Sequence, residues 1–109
     1  MIHTGPAKKL SIYLDEADKA NGKPVYEVLL EIFLKRNIAG ASVFRGIEGF
    51  GSDRVLHTAK ILELSTTLPV KIEVVDSPEK IDSVLLEITP IVHKGLITVS
   101  DTVVVKHSK

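Results

Sequence analysis

Pro69-Val-Lys-Ile-Glu-Val-Val75 runs directly into Asp76-Ser77-Pro78-Glu79. In the first stretch Val70, Ile72 and Val74 alternate with Lys71, Glu73 and Val75, the period of two that a half-buried strand requires. The second is a helix start. Ser77 can accept a free amide hydrogen bond, Pro78 has its φ preset, and Glu79 suits the positive end of the helix dipole. Ile81, Val84, Leu85 and Ile88 then give the helix its apolar face, and Pro90 ends it.

Working outward from this strand-helix pair, Leu96–Val99 and Thr102–Val105 read as two short strands around Ser100-Asp101. Upstream, Ala41-Ser-Val-Phe-Arg45 is β-branched and aromatic and reads as a strand. Before it, Val25, Val28, Leu29, Ile32 and Phe33 fall at helical spacing after Pro24, and Asn37 to Gly40 stop that helix. A polar turn from Asp15 to Lys23 separates it from a first strand, in which Leu10, Ile12 and Leu14 share one face. The order β-α-β-β-α-β predicts an α+β, ferredoxin-like sandwich: an antiparallel sheet with two helices on one face. We expect a single domain over residues 1–109, with a long loop at about 46–60 and flexible ends at 1–7 and 107–109.

Composition narrows the function. Fourteen basic and fourteen acidic side chains cancel, so no global field collects nucleic acid or an anionic membrane, and nucleic acid is not an expected partner. Cysteine is absent, which removes disulfides and thiolate chemistry. No apolar run approaches the roughly 18–20 residues that span a bilayer. Met1–Pro6 lacks the features of a secretory signal, so a soluble, cytoplasmic protein without direct membrane insertion is expected. Apolar residues nevertheless reach 44%, with a mean hydropathy of +0.19, which is high for a small domain. That excess is expected to cover the open sheet face against other subunits in a ring-like homo-oligomer.

Arg45 to Lys60 is far longer than a hairpin needs, and loops of this length are usually functional. Gly46, Gly49 and Gly51 are expected to admit positive φ and close approach of backbone N–H groups to an oxyanion, with Arg45, Arg54 and Lys60 supplying charge. A mobile hairpin whose glycines serve only turns explains the spacing equally well. The four histidines have no metal-ligand spacing and no metal site is expected. Asp53 and His57 stand at i and i+4, so a helical loop would bring them together as an acid-base pair. His93 stands beside Lys94, within reach of a phosphate held there. No nucleophile elbow is present, and no catalytic residue is assigned.

Gly40-Ala-Ser-Val, Glu48-Gly-Phe-Gly51 and Leu68-Pro-Val-Lys-Ile-Glu-Val-Val75 resemble the PII nitrogen-regulatory superfamily. Phe44-Arg-Gly-Ile-Glu-Gly-Phe-Gly51 with His57-Thr-Ala59 resembles still more closely its PII-like branch known as a domain of unknown function. The resemblance implies a non-enzymatic signalling trimer that binds an adenine nucleotide, ADP, AMP or ATP with or without Mg, between neighbouring subunits. No further cofactor is implied. A T-loop would then act on a protein partner, a membrane transporter or channel being one such class. It implies that Gly49, Phe50 and Gly51 lie at the nucleotide, with Glu73 beside it, Lys94 and Gly95 near the phosphates, and Lys106 in place of a terminal arginine. Arg54 and His57 fall in the partner-facing loop. Ser52-Asp53 replace the superfamily's Arg-Gln and the loop has no tyrosine, so uridylylation is not expected and ADP or AMP suits the site better than ATP. Two alternatives stand beside this reading: a small phosphate-ester enzyme using His57 and Asp53, and a purely structural trimeric module.

Overall fold

A computed structural model describes residues 3–59 and 67–108. Strand β1 (Gly5–Asp15) is followed by a small hairpin of β2 (Lys19–Ala20) and β3 (Lys23–Pro24), then by α1 (Val25–Lys35) and β4 (Ala41–Arg45). A second small hairpin pairs β5 (Glu48–Gly49) with β6 (His57–Thr58), and β7 (Pro69–Asp76), α2 (Pro78–Ile88) and β8 (Leu96–Val104) complete the chain. The main sheet has the order β4-β7-β1-β8 with every pair antiparallel, and both helices pack on one of its faces. This is the ferredoxin-like α+β arrangement that the element order predicts.

Local chemistry accounts for the boundaries. Asn21 and Gly22, at φ 53° and 79°, form the two-residue turn that a tight hairpin favours. Helix α1 closes with a left-handed residue: Asn37 sits at φ 56°, the Ile38 N–H donates to Phe33 O, and the Asn37 N–H donates to Leu34 O. Ser77 caps α2, its Oγ accepting from the Lys80 N–H at 3.3 Å.

The register puts Leu10 opposite Val74, Ile12 opposite Ile72 and Leu14 opposite Val70. These six, with Val25, Leu29 and Phe33 of α1 and Ile81, Val84 and Ile88 of α2, form the core. One fully buried aliphatic side chain contributes about 1.5–3 kcal/mol, so this cluster is the main source of stability.

Three expectations are corrected. The C-terminal segment is one nine-residue strand, because Ser100 and Asp101 pair with Lys9 and Lys8 of β1 rather than turning. Gly5–Ala7 are not a loose end but pair with Val104–Thr102. The sheet face opposite the helices is not simply apolar. Tyr13, Phe44 and Leu96 are exposed among polar side chains there, and Glu73 at its centre is paired with Lys71 at 3.3 Å and Lys9 at 3.9 Å. Other exposed apolar side chains are dispersed over the 48–58 hairpin, both helices and β8.

Candidate functional site

The long loop leaves the sheet at Arg45. The Gly46 N–H donates to Pro69 O at 2.7 Å, and a Cβ added at Gly46 would stand 2.9 Å from Pro69 Cγ. At Gly49 the corresponding distance is 3.2 Å. The Ala59 N–H then donates to Ile47 O, and the β5–β6 pairing sets Gly49 opposite His57. None of Gly46, Gly49 and Gly51 has positive φ, contrary to the sequence expectation, and Gly51 has nothing within 4 Å of an added Cβ. The first two glycines serve close packing against Pro69. Among the described residues of the loop, Arg54 is left-handed, at φ 63°, with its guanidinium 5.4 Å from the Phe50 ring centroid.

The hairpin bounds a concavity of about 640 Å³. Glu48 to Asp53 and His57 form one wall, and Tyr13 to Asp15, Asp18 and Pro69 another. Lys94, Gly95 and Leu96, where the chain enters β8, close it. Gly95 is required by its place: φ is +133°, and a Cβ would stand 2.4 Å from Tyr13 O. Of the residues read from sequence as nucleotide-binding, Gly49, Phe50, Gly51, Lys94 and Gly95 are brought together here, with the loop residue His57 beside them.

A second concavity, of about 820 Å³, lies on the open sheet face between the start of β4 and the C-terminal segment. Glu73, Ser42 and Phe44 line it together with Lys106 and His107. Ala39, which also lines it, donates its N–H to buried Asp76 at 2.8 Å, and Asp76 accepts from the Ser77 N–H at 2.7 Å as well. Glu73 and Lys106 are therefore separated, within one chain, from the glycine segment.

Arg45, Gly46, His93 and Arg54 line neither concavity. His93 is exposed, its Nδ1 3.4 Å from Ile91 O. Arg45 is held by Glu16 through Nε–Oε2 at 2.7 Å and Nη2–Oε1 at 2.8 Å, and this pairing keeps the Glu16 carboxyl below its usual range. Lys60 lies outside the described residues. Nor is the loop helical around Asp53 and His57: His57 is in a strand, and Asp53 Oδ1 accepts from the Val55 N–H at 3.1 Å. That removes the geometry on which the acid-base pair rested.

Tyr13, Leu14, Asp15, Asp18 and Pro69 are site residues that sequence reasoning missed. Their signal, an acidic turn followed by Asn21-Gly22, reads only as a connection, because its proximity to the glycine loop is made by sheet pairing. Among the described residues the first concavity carries four carboxylates, Asp15, Asp18, Glu48 and Asp53, against one ammonium, Lys94. Among the described residues no group of three or more His, Asp or Glu is placed to hold a metal ion, and no helix is long and apolar enough to cross a membrane.

Comparisons with known proteins agree with this architecture. The chain is 41% identical over 98 residues to a UPF0166 protein of Aquifex aeolicus, covering 90% of this chain and 92% of that one. It is also 41% identical over 101 residues to a UPF0166 protein of Methanocaldococcus jannaschii, with 92% and 93% covered. Among solved structures it is similar to CPII, a nitrogen regulatory PII-like protein from Thiomonas intermedia K12, bound to ADP, AMP and bicarbonate. That likeness has a TM-score of 0.71 at 21% identity, over 97% of this chain and 94% of the other. CPII bound to ADP and bicarbonate gives 0.68 at 22%, over 97% and 95%. At such identities the likeness establishes the shared PII-like fold. The model of the family described as Uncharacterized ACR matches residues 7–104, and the chain therefore belongs to this family, DUF190.

Proposed function

We propose that the protein is a PII-like regulator that binds an adenine nucleotide, ADP or AMP in preference to ATP, between neighbouring subunits of a homotrimer. The observation that carries this reading is the convergence of Gly49, Phe50 and Gly51 with Lys94 and Gly95 around one concavity. Phe50, Tyr13 and Leu96 offer apolar surface for a base, while Lys94 offers one positive charge. One ammonium among four carboxylates disfavours a ligand with many phosphate charges. The ADP and AMP in CPII, a protein of the same fold, support the same ligand class, and its bicarbonate adds a small anion worth testing.

Glu73 and Lys106 belong to this reading only if a neighbouring subunit brings its second concavity against the first. Ligand binding would then change the 48–58 hairpin and with it the affinity for a protein partner. By linkage that partner must change nucleotide affinity by the same factor. The test is isothermal titration calorimetry with ATP, ADP, AMP, cyclic AMP and S-adenosylmethionine, with and without bicarbonate, alongside light scattering. Saturable heat with ADP or AMP on a trimer is expected. Folded protein that gives no heat with any of them removes the proposal.

A further inference from the structure

We infer that Glu16, just beyond β1, is a positioning residue that clamps both legs of the long loop and so holds the glycine hairpin closed before any ligand arrives. Its carboxylate serves both legs at once. Oε2 accepts from Arg45 Nε at 2.7 Å, while Oε1 accepts from Arg45 Nη2 at 2.8 Å and from the Leu68 N–H at 2.9 Å. The backbone completes the grip, with the Glu16 N–H donating to Leu68 O at 3.1 Å. Next to it, Asp15 Oδ2 accepts from Thr67 Oγ1 at 3.0 Å, and Asp15 itself lines the first concavity.

An ordinary exposed ion pair contributes little. This one differs because, although the Arg45 side chain is 60% exposed, that of Glu16 is only 22% exposed, Leu68 is buried, and one oxygen is shared between a guanidinium and a backbone amide. Arg45 and Leu68 are far apart in sequence, and joining the ends of such a segment has an entropic cost. The β4–β7 pairing of Arg45 with Val70 and the Gly46 N–H to Pro69 O bond already join these ends, and the clamp adds to that closure at the base in the free protein. Arg45, read from sequence as a nucleotide contact, is on this inference part of the hinge.

The effect on ligand affinity rests on the nucleotide reading; the clamp itself does not. Backbone hydrogen exchange of the unliganded protein is compared for the parent, Glu16→Ala, and the exchanged pair Glu16→Arg with Arg45→Glu. In Glu16→Ala, protection at Leu68 and at Gly46 is expected to fall about tenfold or more, as losing a hydrogen bond worth roughly 1.4 kcal/mol implies, while Ile12 and Ile72 keep theirs. The exchanged pair is expected to restore the Gly46 leg but not Leu68, whose acceptor is gone. ADP affinity should fall in Glu16→Ala and recover only in part in the exchanged pair. Unchanged protection at Leu68, full recovery at both legs, or equal loss at Ile12 and Ile72 would each overturn the inference. If the parent binds no ADP, the nucleotide reading fails and the exchange measurements still decide the clamp.

Discussion

Gly95→Ala tests how the chain enters β8 and closes the first concavity. At φ +133° an alanine occupies backbone space that only glycine visits freely, and such strain costs about 1–3 kcal/mol. The added methyl would also meet Tyr13 O at 2.4 Å and Leu14 Cδ2 at 3.0 Å. Tyr13 is paired with Leu96 in the sheet, so neither side can yield without moving strand backbone, which adds about 1–3 kcal/mol of overpacking. The sum is a loss of about 2–6 kcal/mol, which at roughly 4 °C per kcal/mol lowers Tm by about 8–24 °C. Thermal and urea unfolding at one protein concentration measure it, since assembly would make the midpoint concentration-dependent. Gly51→Ala is the control, with open space around it and no positive φ, and should stay within about 0.5 kcal/mol of the parent. Equal stability of Gly95→Ala and parent, or equal losses in the two variants, would refute the reasoning.

Lys94→Ala removes the one ammonium that the described residues bring to the first concavity and should weaken ADP about tenfold; calorimetry showing no such loss counts against the phosphate assignment. Asp76→Ala leaves the Ala39 and Ser77 N–H groups without their acceptor and should cost about 2–6 kcal/mol in urea unfolding, at about 1–3 kcal/mol per orphaned donor. The Glu16 and Glu87 carboxyls are held below the usual 4.5 by Arg45 and Arg36, so the unfolded chain takes up protons first. Their stabilisation is present above pH 4.5 and is lost as pH falls through the lower folded values. Urea midpoints measured on acidification should show this, and replacing both arginines by methionine should flatten it. Lys8, raised above 10.5 by its hydrogen bond to Asp82, acts in the opposite sense: its contribution is complete below 10.5 and lost as pH rises beyond it.

What could be read from sequence was whatever depends on neighbours along the chain. Val70, Ile72 and Val74 declare their face by alternation, and Ser77-Pro78-Glu79 declares a helix start, because strand pleat and helix capping are local. The unity of β8 is not local. Ser100 and Asp101 favour a turn by composition, yet Lys9 and Lys8 stand opposite them, and the ladder overrides propensity. The 48–58 hairpin was hidden for a related reason, since its two-residue strands are too short to show a period. The glycines stand out in the sequence, but the positive φ expected of Gly46, Gly49 and Gly51 is absent. Gly46 and Gly49 lack a side chain because Pro69 lies against them, and no spacing rule reports a contact across so long a loop.

The same distinction bears on the candidate site. Residues assigned to one nucleotide by sequence are divided within a single chain: Gly49 to Gly51 with Lys94 and Gly95 line one concavity, Glu73 with Lys106 line the other, and Arg45, Gly46 and His93 line neither. The first group has a surface for a base and one cation, amid carboxylates that disfavour added negative charge. The second contributes Lys106 and His107 around a glutamate already compensated by Lys71 and Lys9. Neither has, alone, the positive charge that a polyphosphate needs, and the zero net charge of the chain supplies no background field. On the proposed reading, joining the two across a subunit boundary doubles the number of ammonium groups at the ligand and makes affinity depend on assembly. A nucleotide that bridges them therefore stabilises the oligomer by the same free energy with which assembly improves its binding.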